Sequence, residues 1–371
     1  MLSSPIRVCI ILGTRPEAIK LAPVIRHFQE ASEFKTQVVL TGQHREMVQQ
    51  VMDLFDLRAD RDLDIMKPQQ TLTEITCRSL QGLEAVFREL LPQLAIVQGD
   101  TTTAFAATLA AFYQQIPVGH VEAGLRTDRL YDPYPEEANR RLISQLTQLH
   151  FAPTTRAVAN LHKSGVVGDV HHTGNTVIDA LLSVARQTPR CDVPGLDWTK
   201  YRVLLATVHR RENWGERLDS IARGFLKILD AVPDTALLLP LHRNPTVREP
   251  LQALLGNHDR IFLTEPLDYT ALVGAIARCT LLLTDSGGLQ EEAPALGKPV
   301  LVLRETTERP EAVEAGTAKL VGTQIDRILT EAKTLLNDAS AYRQMATATN
   351  PFGDGRASER IVKIVADYFQ Q

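Results

Sequence analysis

Three carboxylates in the first half of the chain stand where a parallel sheet gathers its chemistry. Asp100 follows an apolar run in QGDTTT, Glu122 ends another in VEAGLRT, and Glu136 opens a helical pattern in PEEANR. In parallel sheets functional side chains collect where strands stop and helices begin. Three acids at neighbouring strand ends suit general acid/base work, which needs a proton acceptor and a proton donor near one substrate. Two of them have a plainer reading. Asp100 could cap the helix after it, and Glu136 or Glu137 could do no more than favour a helix dipole. Glu122 is harder to dismiss, because it precedes Ala-Gly at the end of an apolar strand, where a carboxylate is partly buried.

Cations and glycines occupy the other strand ends. Gly13-Thr14-Arg15-Pro16-Glu17-Ala18-Ile19-Lys20 follows the first strand, with Arg15 in the turn and Lys20 about one helical turn later. Cations at a helix N-terminus oppose the macrodipole, so an anion at this edge is the better reason for them. In the second half, HRREN sets His209 beside Arg210 and Arg211, and His242-Arg243 repeats the theme. Such a setting suits an anionic ligand, with imidazole as proton donor or charge stabiliser. In TDSGGLQEE, Ser286-Gly287-Gly288 lets backbone approach a diphosphate, with free N–H groups and the helix dipole aimed at it. Glu292, in the first turns of that helix, can accept from two ribose hydroxyls, and Arg304 and Arg309 follow the next β-run. Neither GxxxxGK nor GxGxxG occurs. HExxH and a Cys/His cluster are missing, so no metal and no cofactor are expected. The lack of GxSxG weakens a serine-hydrolase reading.

Alternating strands and helices must hold these residues. Ile6–Leu12 is a continuous apolar run that ends at Gly13, as a strand buried on both faces reads. Pro16 opens a helix to about Ala31. Strands follow at Val38–Thr41, Leu94–Gln98, Pro117–Glu122 and His150–Ala152. Helices fall at Glu46–Phe55, Leu72–Leu91, Thr102–Tyr113 and Glu136–Leu149. The pattern pauses over Gln187–Lys200, which reads as part of a connection, and then restarts. Strands are expected at Val203–Thr207, Thr235–Leu239, Arg260–Leu263, Thr280–Thr284 and Pro299–Leu303, with helices between. Two such arrays in series predict an α/β chain of two doubly wound, Rossmann-like domains facing each other across an interdomain cleft.

Composition bounds the function. The 371 residues carry 40 Lys plus Arg against 44 Asp plus Glu, a formal charge of −4, which argues against a dedicated nucleic-acid binder. With 44% apolar and 23% charged residues the chain has material for two cores. The four cysteines form no CxxC pair and read as reduced, fitting a cytoplasmic setting. No basic n-region precedes the first apolar run, and no segment approaches about 18 uninterrupted apolar residues, so neither secretion nor membrane insertion is expected.

Taken together, GTRPEAIK, TGQHREM, QGDTTT, VEAGLRT, PEEANR, HRREN, TDSGGLQEEAP and TTERPEAV resemble the non-hydrolysing bacterial UDP-N-acetylglucosamine 2-epimerases, in family order from Gly13 to Val313. The resemblance implies GT-B architecture and a homodimer. It implies a first domain over 1–180 joined by a C-terminal helix over 357–371, and a nucleotide-binding domain over 200–356. The implied reaction interconverts UDP-N-acetylglucosamine and UDP-N-acetylmannosamine. The hydrogen on carbon 2 is not acidic, so the family eliminates UDP, leaving 2-acetamidoglucal, and adds it back after protonation of the other face. Asp100, Glu122 and Glu136 match the catalytic carboxylates. His209, Arg15 and the Ser286-Gly287-Gly288 amides would take up developing phosphate charge, and Lys20, Glu292 and Arg309 would bind the nucleotide sugar. Gln43, Gln70, Arg210 and His242 resemble parts of a second, activating substrate site, although Glu46 and Gln69 depart from that pattern. Leu267 and Leu272 likewise depart from a base-recognition pattern, which leaves uracil to backbone groups. The alternatives are a GT-B glycosyltransferase using a UDP-sugar, which has little need of three acids at the sugar, a hydrolysing 2-epimerase, and a non-catalytic nucleotide-sugar binding protein.

Overall fold

The protein is described by a computed structural model covering residues 4–42, 45–67, 69–127 and 129–370. Gln43 lies outside the described residues. The chain forms two compact units, Met1–Ala180 with Phe352–Gln371, and Leu181–Pro351.

The first unit alternates β1 (Ile6–Leu12), α1 (Arg15–Glu30), β2 (Phe34–Leu40), α2 (Arg45–Leu54), β3 (Arg61–Asp62), α3 (Leu72–Leu90) and β4 (Leu94–Gln98). It continues with α4 (Thr102–Tyr113), β5 (Val118–Val121), α5 (Glu136–Leu146), β6 (Leu149–Ala152), α6 (Thr155–Lys163), β7 (Asp169–His172) and α7 (Thr176–Ala185), whose last turn passes into the second unit. The strands form one parallel sheet in the order β3-β2-β1-β4-β5-β6-β7. The order reverses between β1 and β4, which makes their carboxyl ends the switch point where such sheets bind ligands. β1, β4 and β5 are apolar because helices cover both faces, and Val8, Ile10, Ile96 and Val97 are fully buried.

Several boundaries move for physical reasons. β2 starts at Phe34, earlier than its apolar stretch, because it pairs with β1 from Ile6↔Phe34 onward. α5 stops at Leu146, since Thr147 is already extended and β6 must begin at Leu149. β3 (RD) and β7 (DVHH) are sheet edges with partly exposed, polar side chains, so they lack the apolar run that reveals a central strand.

The second unit runs β8 (Arg202–Thr207), α8 (Glu216–Ala231), β9 (Thr235–Pro240), α9 (Pro245–Leu255), β10 (Ile261–Thr264), α10 (Tyr269–Arg278) and β11 (Leu281–Thr284). Then come α11 (Gly287–Ala295), β12 (Val300–Val302), α12 (Pro310–Glu314), β13 (Ala318–Leu320), α13 (Ile325–Asn337) and α14 (Ala339–Ala346). Its parallel order, β10-β9-β8-β11-β12-β13, repeats the first unit's logic, with the reversal between β8 and β11. Gln187–Lys200 is an ordered part of this unit. Trp198 Nε1 donates to the Cys191 carbonyl at 3.2 Å, and the Arg278 guanidinium lies 4.4 Å from the Trp198 ring centroid.

The last helix, α15 (Ala357–Gln370), packs on α1 of the first unit through a face that includes Ile361, Val362 and Val365. Its first N–H groups need acceptors. The buried Asp179 carboxylate on α7 supplies them, accepting from Ser358 N at 2.7 Å and Ala357 N at 3.2 Å.

Candidate active site

The two switch points present different chemistry. In the first unit, the turn after β1 is braced by a capping box. The buried Glu17 accepts from the Gly13 and Thr14 N–H groups, each at 2.7 Å, and Thr14 Oγ1 faces Glu17 N. Its other oxygen accepts from the Thr101 hydroxyl at 2.5 Å, which ties this turn to the one after β4. A Cβ at Gly13 would lie 2.0 Å from Thr41 Oγ1, so any larger residue here would force that buried side chain to move.

Asp100 does not cap α4. Thr101 is the N-cap, its hydroxyl accepting from Ala104 N at 3.0 Å, which leaves the Asp100 carboxylate for other work. Arg140 on α5 donates to Asp100 Oδ2 at 2.6 Å, and Asn139 Nδ2 donates to the Asp100 carbonyl at 2.9 Å. Burial pushes the Asp100 carboxyl above its ordinary range against the pull of Arg140, and the charges of Glu122 and Glu136 add to the push.

Glu122 is buried at the end of β5 with φ +64°, a left-handed conformation uncommon for a residue with a side chain. Lys20 Nζ lies 2.7 Å from one of its oxygens and 2.6 Å from the other. Gln98 Nε2 also donates to it, and Asn175 Nδ2 does so at 3.2 Å. An ammonium and two amides complement the charged form of a carboxylate. The sequence reading sets Lys20 within reach of an anion at this sheet edge, and the structure pairs it with the Glu122 carboxylate. Of the two glutamates opening α5, the structural role falls to Glu137. It is buried and accepts from Thr127 N, Arg141 and Arg140, whereas Glu136 is half-buried and close enough to act on Asp100.

In the second unit the organising residue is Asp285, directly after β11, to which the sequence reading assigned no role. It is fully buried and accepts from the N–H groups of His209 and Arg210 and from Asn213 Nδ2, at 2.9–3.1 Å. His209 Nδ1 lies 3.0 Å from Asp285 Oδ1. Two backbone donors and an amide fit an ionised acceptor, so the imidazole contributes Nδ1–H and keeps Nε2 for a ligand. Burial raises the Asp285 carboxyl, but the contacts with His209 and Arg210 outweigh it and leave it below the usual range. The sequence marks only its position, an acid directly between an apolar run and Ser-Gly-Gly; its partners come from the neighbouring strand end.

α11 begins at Gly287 without a side-chain cap from Ser286. Neither Gly287 nor Gly288 has a positive φ, and a Cβ on either would meet nothing closer than 3.5 Å. Packing and backbone conformation within the protein therefore do not require these glycines. Ser286 N donates to Thr284 Oγ1 at 2.9 Å, and that hydroxyl lies 2.6 Å from Thr207 Oγ1, which fastens the ends of β8 and β11 together.

The remaining candidates fall around this frame. Glu292 is buried on α11, with Tyr269 Oη 3.5 Å from its carboxylate. Arg309 donates to the buried Glu291, and Arg15 begins α1, half-buried. Arg210 lies 3.7 Å from Glu308, which Arg304 also contacts at 2.6 Å. Burial works against the Glu308 charge, yet Arg304 and Arg210 hold its carboxyl down at about 2. The His242 ring stacks beside His209 with centroids 6.1 Å apart, and its Nδ1 accepts from Asn244 N. Gln70 has a local role, accepting from Lys67 N and donating to the Ile65 carbonyl, each at 2.8 Å. Among the described residues no group of three or more His, Cys, Asp or Glu is placed to hold a metal ion, and no helix is long and apolar enough to cross a membrane.

Known proteins share this frame. The Salmonella typhimurium UDP-N-acetylglucosamine 2-epimerase is 47% identical, over 98% of this chain and 99% of its own. The crystal structure of a Neisseria meningitidis UDP-GlcNAc 2-epimerase, bound to UDP-GlcNAc, superposes with a TM-score of 0.87 at 48% identity, over 98% of this chain and 100% of that one. A Staphylococcus aureus protein in a co-structure with UDP gives 0.88 at 43% identity, over 98% of this chain and 97% of that one. The two Rossmann-like units are those of the GT-B epimerase structures. The family model described as UDP-N-acetylglucosamine 2-epimerase matches residues 26–366, and the chain belongs to that family of isomerases.

Proposed function

We propose that this enzyme interconverts UDP-N-acetylglucosamine and UDP-N-acetylmannosamine without releasing the free sugar. A carboxylate of the first unit takes the proton from carbon 2. That electron pair forms the double bond to carbon 1, and the bond to the diphosphate oxygen breaks, so UDP leaves with its electrons. A proton delivered to the other face of carbon 2 and return of the diphosphate oxygen to carbon 1 complete the reaction.

The observation that carries the reading is a pair of carboxylates held differently at adjacent strand ends. Glu122 is complemented in its charged form by Lys20, Gln98 and Asn175, while burial raises Asp100. Unequal proton affinities are what a reaction with a base on one face and an acid on the other requires, and the roles exchange in the reverse direction. The second unit carries groups suited to a leaving diphosphate. The first N–H groups of α11 and the Nε2 of a histidine fixed by Asp285 suit a diphosphate that gains charge as its bond breaks. Glu292 and Arg309 hold the nucleotide, and Glu136 joins the acid/base set. The same reading has the enzyme act in the cytoplasm as a homodimer that supplies a polysaccharide precursor.

Proton NMR of the purified protein with UDP-N-acetylglucosamine in deuterated water tests this. UDP-N-acetylmannosamine carrying deuterium at carbon 2 is expected. Free N-acetylmannosamine plus UDP would replace the proposal with the hydrolysing reaction, and a folded protein that binds UDP without exchange or product would refute it.

A further inference from the structure

The first unit buries two histidines that the proposed chemistry does not use. His120 on β5 and His150 on β6 face each other in the parallel register and are 1% and 0% exposed. His120 Nε2 lies 2.7 Å from the Gly99 carbonyl. A carbonyl only accepts, so Nε2 carries the hydrogen. Nδ1 is then a buried acceptor with no partner among the described residues. An apolar side chain would suit a strand between covering helices better, so the hydrogen bond to Gly99 is what the histidine contributes.

Gly99 is the left-handed hinge, φ +72°, between β4 and Asp100. β5 grips it at both ends. Its N–H donates to the Val121 carbonyl at 3.0 Å, and its carbonyl takes the His120 hydrogen. On the far side Asn139 holds the Asp100 carbonyl and Arg140 the carboxylate. Val121 also immediately precedes Glu122, so β5 carries one site carboxylate and, through His120, aims the other. We propose that His120 is a positioning residue for Asp100: by donating to the Gly99 carbonyl it fixes the turn that sets the Asp100 carboxylate relative to Glu122. The imidazole stays neutral at working pH, since burial pulls it down to about 4, so the link acts as a fixed brace.

The inference rests on the catalytic reading of Asp100, and its test separates the two. The variants are His120→Phe, which fills the space without a donor, and His120→Gln, whose amide keeps one. In the epimerisation assay His120→Phe is expected to lose about 10- to 100-fold in kcat, as a small misplacement does, with KM within about twofold and UDP affinity unchanged. His120→Gln is expected to recover most of that loss. Amide hydrogen exchange over residues 99–101 should quicken in His120→Phe and not in His120→Gln. Nitrogen-15 NMR of the unaltered protein should show His120 as the neutral Nε2–H tautomer. Wild-type kcat and unchanged exchange in His120→Phe would overturn the inference, as would equal losses in both variants or the Nδ1–H tautomer. If the unaltered protein does not epimerise, the function reading fails, while exchange and tautomer still decide whether His120 braces the turn.

Discussion

At the ends of β4 and β5 the first unit presents carboxylates, Asp100 and Glu122. At the ends of β8 and β11 the second presents an imidazole, two arginines and the bare start of a helix. The sheets share the order of their first six strands and one point of reversal, so topology sets where each unit presents its groups, and the residues after the strands set what those groups are. Beneath the difference lies a common device. Each turn is braced by a buried acid that accepts backbone N–H groups, Glu17 in the first unit and Asp285 in the second. In the first unit the brace only shapes the turn and links it to Thr101. In the second the same kind of acid also fixes the tautomer of a side chain, the His209 imidazole, so brace and imidazole are coupled there.

The comparison breaks most sharply if the acids are not the reacting groups. Asp100→Asn and Glu122→Gln are each expected to lower kcat by about 10³-fold or more while UDP affinity, measured by calorimetry, stays within about twofold. A loss of UDP affinity as large as the loss of rate would place the leaving group on the wrong unit. Next comes the coupling at Asp285. Asp285→Asn should cost about 10²- to 10³-fold in kcat, and the double variant with His209→Asn should be little worse than either single change, because the two act as one unit. Steady-state rates on the four proteins decide this, and additive losses would separate brace from imidazole.

Acid should then divide the units by stability. Burial pulls His120 down to about 4 and His150 to about 3, whereas both titrate near 6.5 once unfolded. Below that value the unfolded chain binds more protons, so the first unit loses stability as pH falls from about 6.5, by roughly 2 kcal/mol per histidine at pH 5. Glu308 in the second unit, held at about 2, contributes stability that is lost only as pH falls below about 4.5. Hydrogen exchange followed by mass spectrometry across this range should show the first unit loosening first, and His150→Phe should narrow the gap. The smallest effect concerns α11. Gly287→Ala should weaken UDP binding about tenfold with an unchanged melting temperature, because the added methyl makes only ordinary contacts with the protein and would stand in the way of a diphosphate at the first N–H groups of α11. A lower melting temperature with intact affinity would make the glycine structural.

Much of this was legible in the residues. The strands buried on both faces announced themselves as apolar runs, and the turns after them held Asp100, Glu122, His209 and Ser286-Gly287-Gly288. Edge strands such as Asp169–His172 were not legible, because half-exposed pairing leaves no apolar run. Partnership was not legible either. Nothing in spacing tells that Lys20 turns to Glu122, 102 residues away, or that Thr101 rather than Asp100 caps α4. Those outcomes depend on which turns the sheet brings side by side. Asp285 went unassigned because its value lies in three donors from a different strand end, which only pairing of β8 with β11 supplies.

The return of α15 to α1 sets an order of events at the ribosome. The unit whose strands emerge first lacks its closing helix until α15 has been synthesised, because the α1 face on which α15 packs, and the Asp179 carboxylate that accepts from Ser358, stay open through translation of the whole second unit. The later unit is thus the first with all its elements in hand, and the nascent first unit, although its seven strands come earlier, keeps the α1 face uncovered until α15 emerges.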